Sequence, residues 1–498
     1  MVIQSINPAT LENNGDVQET PKSEFKEIFE RAREAQRKWR DIPICKRAKI
    51  VVRVNQQISN KIEEISELIS REVGKPPLEA FISEVYGAMD STFYYFSVVD
   101  HEIGQKKPID LRFYGSLNKR SYITYKPAGV ITVIGPYNYP FAIPFNQIVQ
   151  SLMAGNAVVF KPSSDTVFVG QKIQELFNGV KDFPKDLLTT VYGSGSELGK
   201  PLIDLGDRVI FTGSTSTGKH IMRQAADTLT PVTLELGGKS AMVVLEDANL
   251  DRAALAAKWG CFTNSGQVCA SVKRLYIQES VKDTFVDKLV TLTNKIKQGN
   301  PLEKHVDIGA MVNEHQMNLV LKMIDHAKTE GANILTGGKR KPGLKGYFVE
   351  PTILGDCTNN MDCVQKEIFG PVLTIIPFSD PEEAIKMVND NKYGLTSSVW
   401  TENIELGERL ARKIDTGTAM VNEVVYTFAL AMTPWGGTKE SGIGRSHANY
   451  GFEEVVAPLH VNIDTSQDTD PWWMPYDADF EESMENFKLV AKSLILRE

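Results

Sequence analysis

The stretch Val130-Ile131-Thr132-Val133-Ile134-Gly135-Pro136 is an apolar, β-branched run that ends in a turn, which is the pattern of a buried strand. Further short apolar runs follow it, and amphipathic stretches with helical spacing separate one run from the next. Buried strands that alternate with helices are typical of a mostly parallel, doubly wound sheet. The predicted strands of this first sheet are residues 130–134, 157–160, 188–192, 208–211 and 232–236.

A second round of this alternation begins after Lys239, with strand patterns at 241–245 and 274–277 and a helical pattern near 251–262. We therefore predict the α/β class, with two Rossmann-like, doubly wound lobes that meet near residues 235–239. The N-terminal region has helical patterns that do not alternate with strand patterns. Its three predicted helices cover roughly residues 25–39, 46–73 and 78–99, and an exposed strand is predicted near 122–126.

Length and composition limit the class of protein. A chain of 498 residues exceeds what one core usually serves, so two or three domains are expected. The formal net charge of −8 argues against a nucleic-acid partner. Five cysteines without close pairing suit a reducing compartment, and the N-terminus lacks a signal-peptide pattern. Since no apolar run approaches the length that spans a bilayer, we predict a cytoplasmic protein without a membrane partner.

Cys269 is the candidate nucleophile of this chain. It follows the small-residue loop Ser265-Gly266-Gln267-Val268, with helical spacing upstream and a strand pattern downstream. A thiol on a loop between packed elements can be both held and exposed, although most single cysteines are core residues. The seven histidines show no metal-like clustering, so no metal site is predicted. The remaining cysteines, which have no base or motif beside them, are Cys45, Cys261, Cys357 and Cys363.

The segment Gly213-Ser214-Thr215-Ser216-Thr217-Gly218-Lys219-His220 follows a strand pattern and opens a helical one. Backbone N–H groups and the dipole at such a helix start favour a bound phosphate. The spacing Gly-x4-Gly-Lys also occurs in the P-loops of nucleotide-hydrolysing enzymes, but His220 stands where the magnesium-binding Ser or Thr belongs. A dinucleotide pyrophosphate therefore fits this loop better than a hydrolysed triphosphate.

Three polar side chains stand at the ends of predicted strands, where open α/β sheets bind their ligands. Asn138 follows strand 130–134 and offers an amide donor for an oxyanion, although a plain turn residue is the alternative. Lys161 ends the next strand and can meet a ribose or a phosphate, unless it is a surface lysine. Glu235 precedes two glycines and is either a desolvated base or the partner of a cation.

Taken together, these segments resemble the aldehyde dehydrogenase superfamily. The order and approximate spacing of the motifs carry the resemblance, which covers roughly residues 5–463. No single motif is specific, but the combination is highly specific. The matching motifs are Pro-Tyr-Asn-Tyr-Pro (136–140), Phe-Lys-Pro-Ser (160–163), Phe-Thr-Gly-Ser-Thr (211–215), Glu-Leu-Gly-Gly-Lys (235–239), Gly-Gln-Val-Cys (266–269), Glu-Ile-Phe-Gly-Pro (367–371), Asn-Lys-Tyr-Gly-Leu (391–395) and Pro-Trp-Gly-Gly-Thr-Lys-Glu-Ser-Gly (434–442).

The resemblance implies oxidation of an aldehyde to the carboxylic acid through a thiohemiacetal and a thioester on Cys269. Asn138 and the Cys269 backbone N–H would hold the oxyanion, and Glu235 would activate the hydrolytic water. A CoA-acylating relative, which passes the thioester to CoA, is an alternative, as is a dinucleotide-binding protein without turnover. Some relatives carry a second carboxylate after the residue equivalent to Arg445, where this chain has Ser446.

The resemblance also implies a nicotinamide dinucleotide cofactor. Many NAD-preferring relatives have a glutamate that binds both ribose hydroxyls where this chain has Ser164. Because a serine does not repel a 2′-phosphate and Lys161 can pair with it, we predict that NADP is favoured and NAD possible. The implied cofactor-binding residues are Ile134, Gly135, Pro136, Tyr137, Lys161, Ser163, Ser164, Gly213, Ser214, Gly218, Leu236, Gly237, Glu367 (at the nicotinamide ribose) and Phe369 (beside the ring).

The substrate wall implied by the family is largely apolar in this chain. No arginine flanks Cys269, and an anionic aldehyde would want a cation facing the site. A neutral aliphatic or aromatic aldehyde is therefore expected, while glyceraldehyde and succinate semialdehyde stay open. The implied wall residues are Tyr137, Trp259, Val268, Ala270, Val425, Tyr426 and Phe428.

By the same resemblance, the chain divides into a cofactor-binding domain, a catalytic domain and a small β oligomerisation arm. The arm predicts a homo-oligomer, either a dimer or a tetramer. The C-terminal extension, which contains Trp472-Trp473, is interpreted as docking at an interface. The predicted boundaries are 1–115, 128–237 and 435–449 for the cofactor-binding domain, 238–434 for the catalytic domain, 116–127 and 450–465 for the arm, and 466–498 for the extension.

Overall fold

The structure is a computed structural model, and it confirms the predicted α/β class. Its strands form one sheet of six strands, one of seven, one of three, and two sheets of two strands each. Within the described part of the chain, no helix is both long and apolar enough to cross a bilayer. The described residues are 2–111, 118–467, 469–470, 472–476 and 478–493.

Most strands are short and apolar, and most residues of the strands in the middle of the two large sheets are buried. Strands of this kind need cover on both faces, which the helices between them provide. The strands are β1 (Val2–Ile6), β2 (Asn13–Gln18), β3 (Lys107–Ile109), β4 (Lys119–Pro127), β5 (Val130–Ile134), β6 (Ala157–Lys161), β7 (Leu188–Thr190), β8 (Arg208–Thr212), β9 (Val232–Glu235), β10 (Ala241–Val244), β11 (Arg274–Gln278), β12 (Asn333–Thr336), β13 (Thr352–Gly355), β14 (Val372–Phe378), β15 (Tyr393–Gly394), β16 (Thr396–Trp400), β17 (Thr418–Val421), β18 (Thr438–Lys439), β19 (Gly442–Ile443) and β20 (Val456–Asp464).

The single helix predicted over residues 46–73 is wrong, because the chain forms three helices there. Asn60, a weak helix former, precedes Lys61, whose backbone leaves the helical region (φ −137°, ψ 23°). A wider π-type turn, Phe81–Tyr86, also interrupts the next predicted helix. The α-helices are α1 (Phe25–Arg40), α2 (Ile44–Val51), α3 (Val54–Ser59), α4 (Ile62–Val73), α5 (Pro77–Ala80), α6 (Gly87–Val99), α7 (Ala142–Ala154), α8 (Val167–Asn178), α9 (Gly195–Leu205), α10 (Thr215–Ala226), α11 (Leu250–Phe262), α12 (Lys282–Asn294), α13 (Glu314–Thr329), α14 (Asp362–Gln365), α15 (Pro381–Asn389), α16 (Ile404–Ala411), α17 (Ala448–Glu453) and α18 (Ala478–Ser493).

The six-stranded sheet has the order β19-β9-β8-β5-β6-β7. Strands β5 to β9 are parallel, and only β19 runs antiparallel to its neighbour. The chain adds β6 and β7 on one side of β5 and then returns to add β8 and β9 on the other. This reversal creates a topological switch point between β5 and β8, where ligands bind at the carboxyl ends of the strands. The loops after β5, β8 and β9 meet there.

The seven-stranded sheet has the order β12-β13-β14-β11-β10-β16-β17. All pairs of neighbouring strands in this sheet are parallel, except that the edge strand β12 is antiparallel to β13. A short buried connection, residues 236–240, leads from β9 of the first sheet directly into β10 of the second. The loop that carries Cys269 lies between α11 and β11. Since β9 ends at Glu235, the connection 236–240 alone separates the candidate base from the second sheet.

The chain divides into two compact units. One unit, Met1–Ile103 with Pro127–Ala457, contains both large sheets. The other unit, Gly104–Lys126 with Pro458–Glu498, contains the three-stranded sheet β20-β4-β3. Within this unit, the Lys119 ammonium forms ion pairs with Asp464 and Asp470 and lies 5.1 Å from the centre of the Trp472 ring. The start of the C-terminal extension therefore packs on the small sheet of its own chain.

Candidate active site

The loop that presents Cys269 has an unusual backbone. Asn264, Ser265 and Gly266 all have left-handed φ angles, at 48°, 53° and 70°. At Gly266 a side chain would overlap the backbone of Gly370, so only glycine fits this close approach. Three consecutive left-handed residues cost free energy and persist where surrounding contacts fix them.

Lys273 supplies one of those contacts. Its buried ammonium donates to the Gly266 carbonyl at 2.7 Å and to the Gly370 carbonyl at 2.6 Å. Burial lowers the pKa of Lys273. The side chain thereby ties the nucleophile loop to the loop that follows Glu367.

Two cavities meet at the nucleophile. The first, which we call the aromatic cavity, has a volume of about 550 Å³ and the second, the switch-point cavity, about 450 Å³. Thr212, Glu235, Leu236 and Cys269 line both cavities. The thiol and the carboxylate therefore belong to the wall that the two cavities share. The aromatic cavity takes its name from Tyr139, Trp259, Phe262, Tyr426, Phe428 and Trp435.

The Cys269 thiol is protonated at rest. Burial raises its pKa to about 12, and the nearby carboxylates of Glu235 and Glu367 contribute to the rise. The backbone amides of Ala270 and of Cys269 itself act in the opposite direction. A protonated thiol is a weak nucleophile, so the site needs a base that removes its proton.

Glu235 is the carboxylate that lines both cavities together with Cys269. Burial raises the pKa of Glu235 to about 8, while a hydrogen bond from Ser446 and the charge of Arg445 lower it. The Ser446 hydroxyl donates to Oε1 at 3.2 Å, and Oε2 has no hydrogen-bond partner. A carboxylate that titrates near neutral pH can take up and release protons during a reaction.

Asn138 lines the switch-point cavity together with Cys269. One N–H of its side-chain amide donates to the Gln267 carbonyl at 2.9 Å. An amide nitrogen carries two hydrogens, so a second N–H remains to donate to a ligand. The Asn138 backbone carbonyl accepts from the Asn264 amide at 3.0 Å, which joins the loop after β5 to the nucleophile loop.

A buried ion pair, absent from the sequence-based prediction, holds the Asn138 loop. The Lys75 ammonium donates to the Asn138 carbonyl at 2.7 Å and to Glu84 at 2.8 Å, and both charged side chains are inaccessible to solvent. Glu84 also accepts from the Phe141 backbone N–H at 2.8 Å. The sequence around Lys75 (Gly-Lys-Pro-Pro) indicates only the end of a helix, and Glu84 carries no motif, so neither residue could be found.

The predicted cofactor residues separate into those that line the switch-point cavity and those that do not. Glu367 accepts from the Gly238 backbone N–H at 3.1 Å, and Ser214 caps helix α10, whose N-terminus faces the cavity. Ile134, Gly135, Lys161, Ser164 and Gly218 do not line it. The predicted residues that line the cavity are Pro136, Tyr137, Ser163, Gly213, Ser214, Leu236, Gly237, Glu367 and Phe369.

Three of the residues that do not line this cavity have clear packing roles. A side chain at Gly218 would overlap Leu236, so the glycine allows close approach. Lys161 is buried and donates to the Pro162 carbonyl at 3.0 Å, and burial lowers the pKa of Lys161 to about 8. Ser164 donates to the Gly193 carbonyl. The sequence did not identify the cavity wall that helix α13 provides through Gln316, Leu319, Val320 and Met323.

Six of the seven predicted substrate-wall residues line the aromatic cavity, and Tyr137 does not. Tyr137 packs edge-on against Phe369, with ring centres 5.9 Å apart, in the switch-point cavity. Tyr139, two residues further along, lines the aromatic cavity instead. The six residues are Trp259, Val268, Ala270, Val425, Tyr426 and Phe428.

One group of potential metal ligands lies away from both cavities. Oxygen and nitrogen atoms of His326, Glu330 and Asp362 lie within 4.8 Å of one another, a grouping that their sequence separation hides. The Lys366 ammonium donates to Asp362 at 2.6 Å, which supplies a positive charge at this surface. We assign no function to this group of residues.

Comparison with known proteins agrees with the geometry. A model of the aldehyde dehydrogenase family matches residues 1–461. The chain is 38% identical to peroxisomal aminoaldehyde dehydrogenase 1 of Pisum sativum, over 95% of this chain and 94% of that protein. It is 37% identical to the 4,4'-diapolycopene aldehyde oxidase of a Methylomonas species, over 92% and 84%. The structure of a Bacillus cereus aldehyde dehydrogenase with NAD+ has a TM-score of 0.89 at 34% identity, over 94% of each chain.

Proposed function

The chain belongs to the aldehyde dehydrogenase family, and from this premise we propose that Cys269, Glu235 and Asn138 are its catalytic residues. It is an NAD(P)-dependent oxidoreductase that acts on aldehydes. The observation that carries the assignment of residues is the shared wall, because Cys269 and Glu235 both line the aromatic cavity and the switch-point cavity. A nucleophile on that wall can contact an aldehyde from one side and a cofactor from the other.

The first step is attack of sulfur on the aldehyde carbon. Glu235 in its ionised form takes the proton of the Cys269 thiol, and the thiolate forms a bond to the carbonyl carbon. The carbonyl oxygen becomes an oxyanion. The free N–H of the Asn138 amide and the Cys269 backbone N–H donate to it, which stabilises the charge where it develops.

The residues of the switch-point cavity fit a nicotinamide dinucleotide, since a helix N-terminus suits its pyrophosphate and Glu367 its ribose. When bound, this cofactor accepts the hydride that leaves the substrate carbon. The acyl group then remains on Cys269 as a thioester. Glu235, having released the thiol proton to solvent, removes a proton from water as the water oxygen attacks the thioester carbon. The carbon–sulfur bond then breaks, the carboxylic acid leaves, and Glu235 returns the proton to the sulfur. A base beside the sulfur favours hydrolysis over transfer to CoA.

We further propose that NADP is the favoured cofactor and that NAD is also used. Ser164 adds no negative charge near Lys161, which is buried at the end of β6. Ser164→Glu is expected to lower kcat/KM for NADP about tenfold relative to that for NAD, since a carboxylate repels the 2′-phosphate. Initial rates with both cofactors measure this ratio.

The matched control for the cofactor experiment is Ser59→Glu, which adds the same charge at an exposed position at the end of α3. This variant is expected to keep the cofactor ratio of the wild type. If Ser164→Glu also keeps that ratio, Ser164 does not determine the preference.

For the substrate, we propose a neutral aldehyde with an apolar body. Apolar side chains, six of them aromatic, make up most of the lining of the larger cavity, and Lys258 is the one lysine or arginine among its described lining residues. Leu78, Trp259 and Tyr426 are exposed at this cavity, as expected of an apolar entrance. The Methylomonas relative is named for a 4,4'-diapolycopene aldehyde, which is consistent with this class. Glyceraldehyde and succinate semialdehyde match this lining less well.

The substrate proposal is tested with an aldehyde panel that contains hexanal, benzaldehyde, glyceraldehyde and succinate semialdehyde. Reduced nicotinamide is followed by absorbance with each cofactor. We expect kcat/KM to be highest for the apolar members, and a preference for succinate semialdehyde would contradict the proposal. We also propose a cytoplasmic location, because the cysteines are free thiols, as expected in a reducing compartment.

We propose that the chain forms a homo-oligomer through the small sheet. Strands β4 and β20 are mostly exposed or half-buried along their length in the single chain, which suits a surface that pairs with another subunit. Size-exclusion chromatography with light scattering is expected to give the mass of a dimer or a tetramer. A monomer at micromolar concentration would contradict this proposal.

A further inference from the structure

His447 is held in a backbone conformation that other side chains rarely adopt. Its φ and ψ angles are 68° and 172°, a region populated mainly by glycine. The residues on both sides are fixed, because Ser446 exchanges two hydrogen bonds of 2.8 Å with Trp435 and the Ala448 N–H donates to Ala431 at 2.8 Å. These bonds hold the strained backbone in place, and the position of the imidazole is therefore fixed by the fold.

His447 lines the aromatic cavity, and no group among the described residues makes a hydrogen bond of good geometry with either of its ring nitrogens. The residue is 1% exposed, and the Leu430 backbone carbonyl is a polar group beside the ring. Its ring centre lies 4.8 Å from that of Phe428 and 6.5 Å from that of Tyr95. Burial lowers the pKa of His447 to about 4, so the ring is neutral near pH 7.

A buried polar group without a partner destabilises a protein, and such groups in a ligand cavity are satisfied when the ligand binds. Gln147 lines the same cavity, and its Oε1 is another buried polar atom without a hydrogen-bond partner among the described residues. The catalytic steps described for Cys269, Glu235 and Asn138 use neither residue. The His447 imidazole is therefore available to a ligand group of matching chemistry.

A neutral imidazole has one N–H donor and one acceptor nitrogen. A hydroxyl group also donates and accepts, and it can be buried among aromatic rings at lower cost than a charged group. A carboxylate would need a cation, and Lys258, the one lysine or arginine in the described lining, is only half-buried. The surroundings of the ring therefore favour an uncharged hydroxyl on an otherwise apolar molecule.

We propose that His447 is a specificity-determining residue that hydrogen-bonds a neutral hydroxyl group on the apolar body of the aldehyde substrate. The inference rests on the proposed function, because the aromatic cavity that His447 lines also contains Cys269. It narrows the substrate class from apolar aldehydes to hydroxylated apolar aldehydes, with the hydroxyl remote from the carbonyl.

The test compares unbranched alkanals of about six to ten carbons with the matching ω-hydroxyalkanals. Chain length determines where the hydroxyl lies, so the series identifies the length at which the hydroxyl reaches His447. Dissociation constants are measured by calorimetry on Cys269→Ala protein, which cannot form a covalent adduct, and kcat/KM on the protein with intact Cys269. At the best length, the preference for the hydroxylated ligand is expected to be about tenfold higher with His447 than in His447→Phe.

Two further variants keep the test independent of folding. His447→Asn suits the positive φ angle but has a shorter side chain, so it is also expected to lose the preference. His101→Asn changes a histidine whose side chain is 79% exposed and is expected to retain it. Circular dichroism and thermal unfolding confirm that each variant is folded.

The outcomes separate this inference from the proposed function. If the hydroxyl preference in binding is the same in the protein with His447 as in His447→Phe and His447→Asn at every chain length, the inference is overturned even if aldehydes are oxidised. Tighter binding of ω-carboxyalkanals than of ω-hydroxyalkanals also overturns it. If the preference depends on His447 but no aldehyde is oxidised, the proposed function fails and the binding site stands.

Discussion

Cys269→Ala is expected to lower kcat for aldehyde oxidation at least about 10⁴-fold, because no other group forms the thiohemiacetal. The fold is expected to survive, since Cys269 is only half-buried and alanine fits a smaller volume. Steady-state rates with a reactive aldehyde and a saturating cofactor give the comparison. Mass spectrometry of the wild-type enzyme after a single turnover is expected to detect an acyl adduct on the peptide that contains Cys269.

Two other cysteines serve as controls for this result. Cys45 is exposed and Cys261 is buried in the core, and both lie outside the reacting groups. Cys45→Ala is expected to retain wild-type kcat, whereas Cys261→Ala is expected to lose stability first because it leaves a small cavity. Activity of Cys269→Ala within about tenfold of the wild type would show that the sulfur is not the nucleophile.

Glu235→Gln has the second-largest expected effect. We expect steady-state kcat to fall about 10²- to 10⁴-fold, the usual contribution of a general base. Glu235 takes the thiol proton in the first step and activates water in the last, so the variant is expected to form its first equivalent of reduced cofactor per site in a slowed burst and then stop. Stopped-flow absorbance measures this burst, and mass spectrometry of the stalled protein is expected to find the thioester on Cys269.

The pH dependence of the same step follows from the burial of Glu235. Its pKa is raised to about 8, so the carboxyl is mostly protonated at pH 7 and ionises as the pH rises through 8. Wild-type kcat is therefore expected to increase between about pH 7 and 9 and to level off above, provided that hydrolysis limits turnover. Glu235→Gln removes this rise.

The exposed carboxylate of Glu408 provides the matched control, since its ion pair among the described residues is with Arg412, directly after α16. Glu408→Gln is expected to keep both kcat and the pH profile. Should Glu235→Gln turn over at the wild-type rate, or should its pH profile still rise through the same range, another group must activate the water.

The sheets could be predicted from sequence because buried strands need continuous apolar residues. Strand Val130–Ile134 has the same bounds in the prediction and in the structure, and neighbouring strands differ by one or two residues at their ends. The helices of residues 44–73 could not be separated, since their apolar residues keep the helical period across the breaks. Helix ends depend on local turns that the period does not encode.

The candidate site shows where sequence reasoning stops. Motifs located Cys269, Glu235 and Asn138, because each follows a recognisable strand or loop. The contact between Lys75 and Asn138 joins distant segments and has no local pattern. The inward position of His447 depends on a positive φ angle that its residue type does not predict.

Neighbouring residues also belong to different cavities in ways that a motif does not reveal. Tyr137 and Tyr139 belong to the same motif, yet one lines the switch-point cavity and the other the aromatic cavity. Lys161 ends a predicted strand and Ser164 follows it, but neither lines the switch-point cavity. The direction of each side chain depends on the loop backbone, which sequence patterns leave open.

Cys269 lies in the wall that the aromatic cavity and the switch-point cavity share, and this position has a kinetic consequence. Under the proposed function, aldehyde and acid enter and leave through the aromatic cavity while the dinucleotide stays in the switch-point cavity. Bulky compounds that block the aromatic cavity need not compete with the dinucleotide. Inhibitors of that kind would hold the enzyme with its cofactor bound.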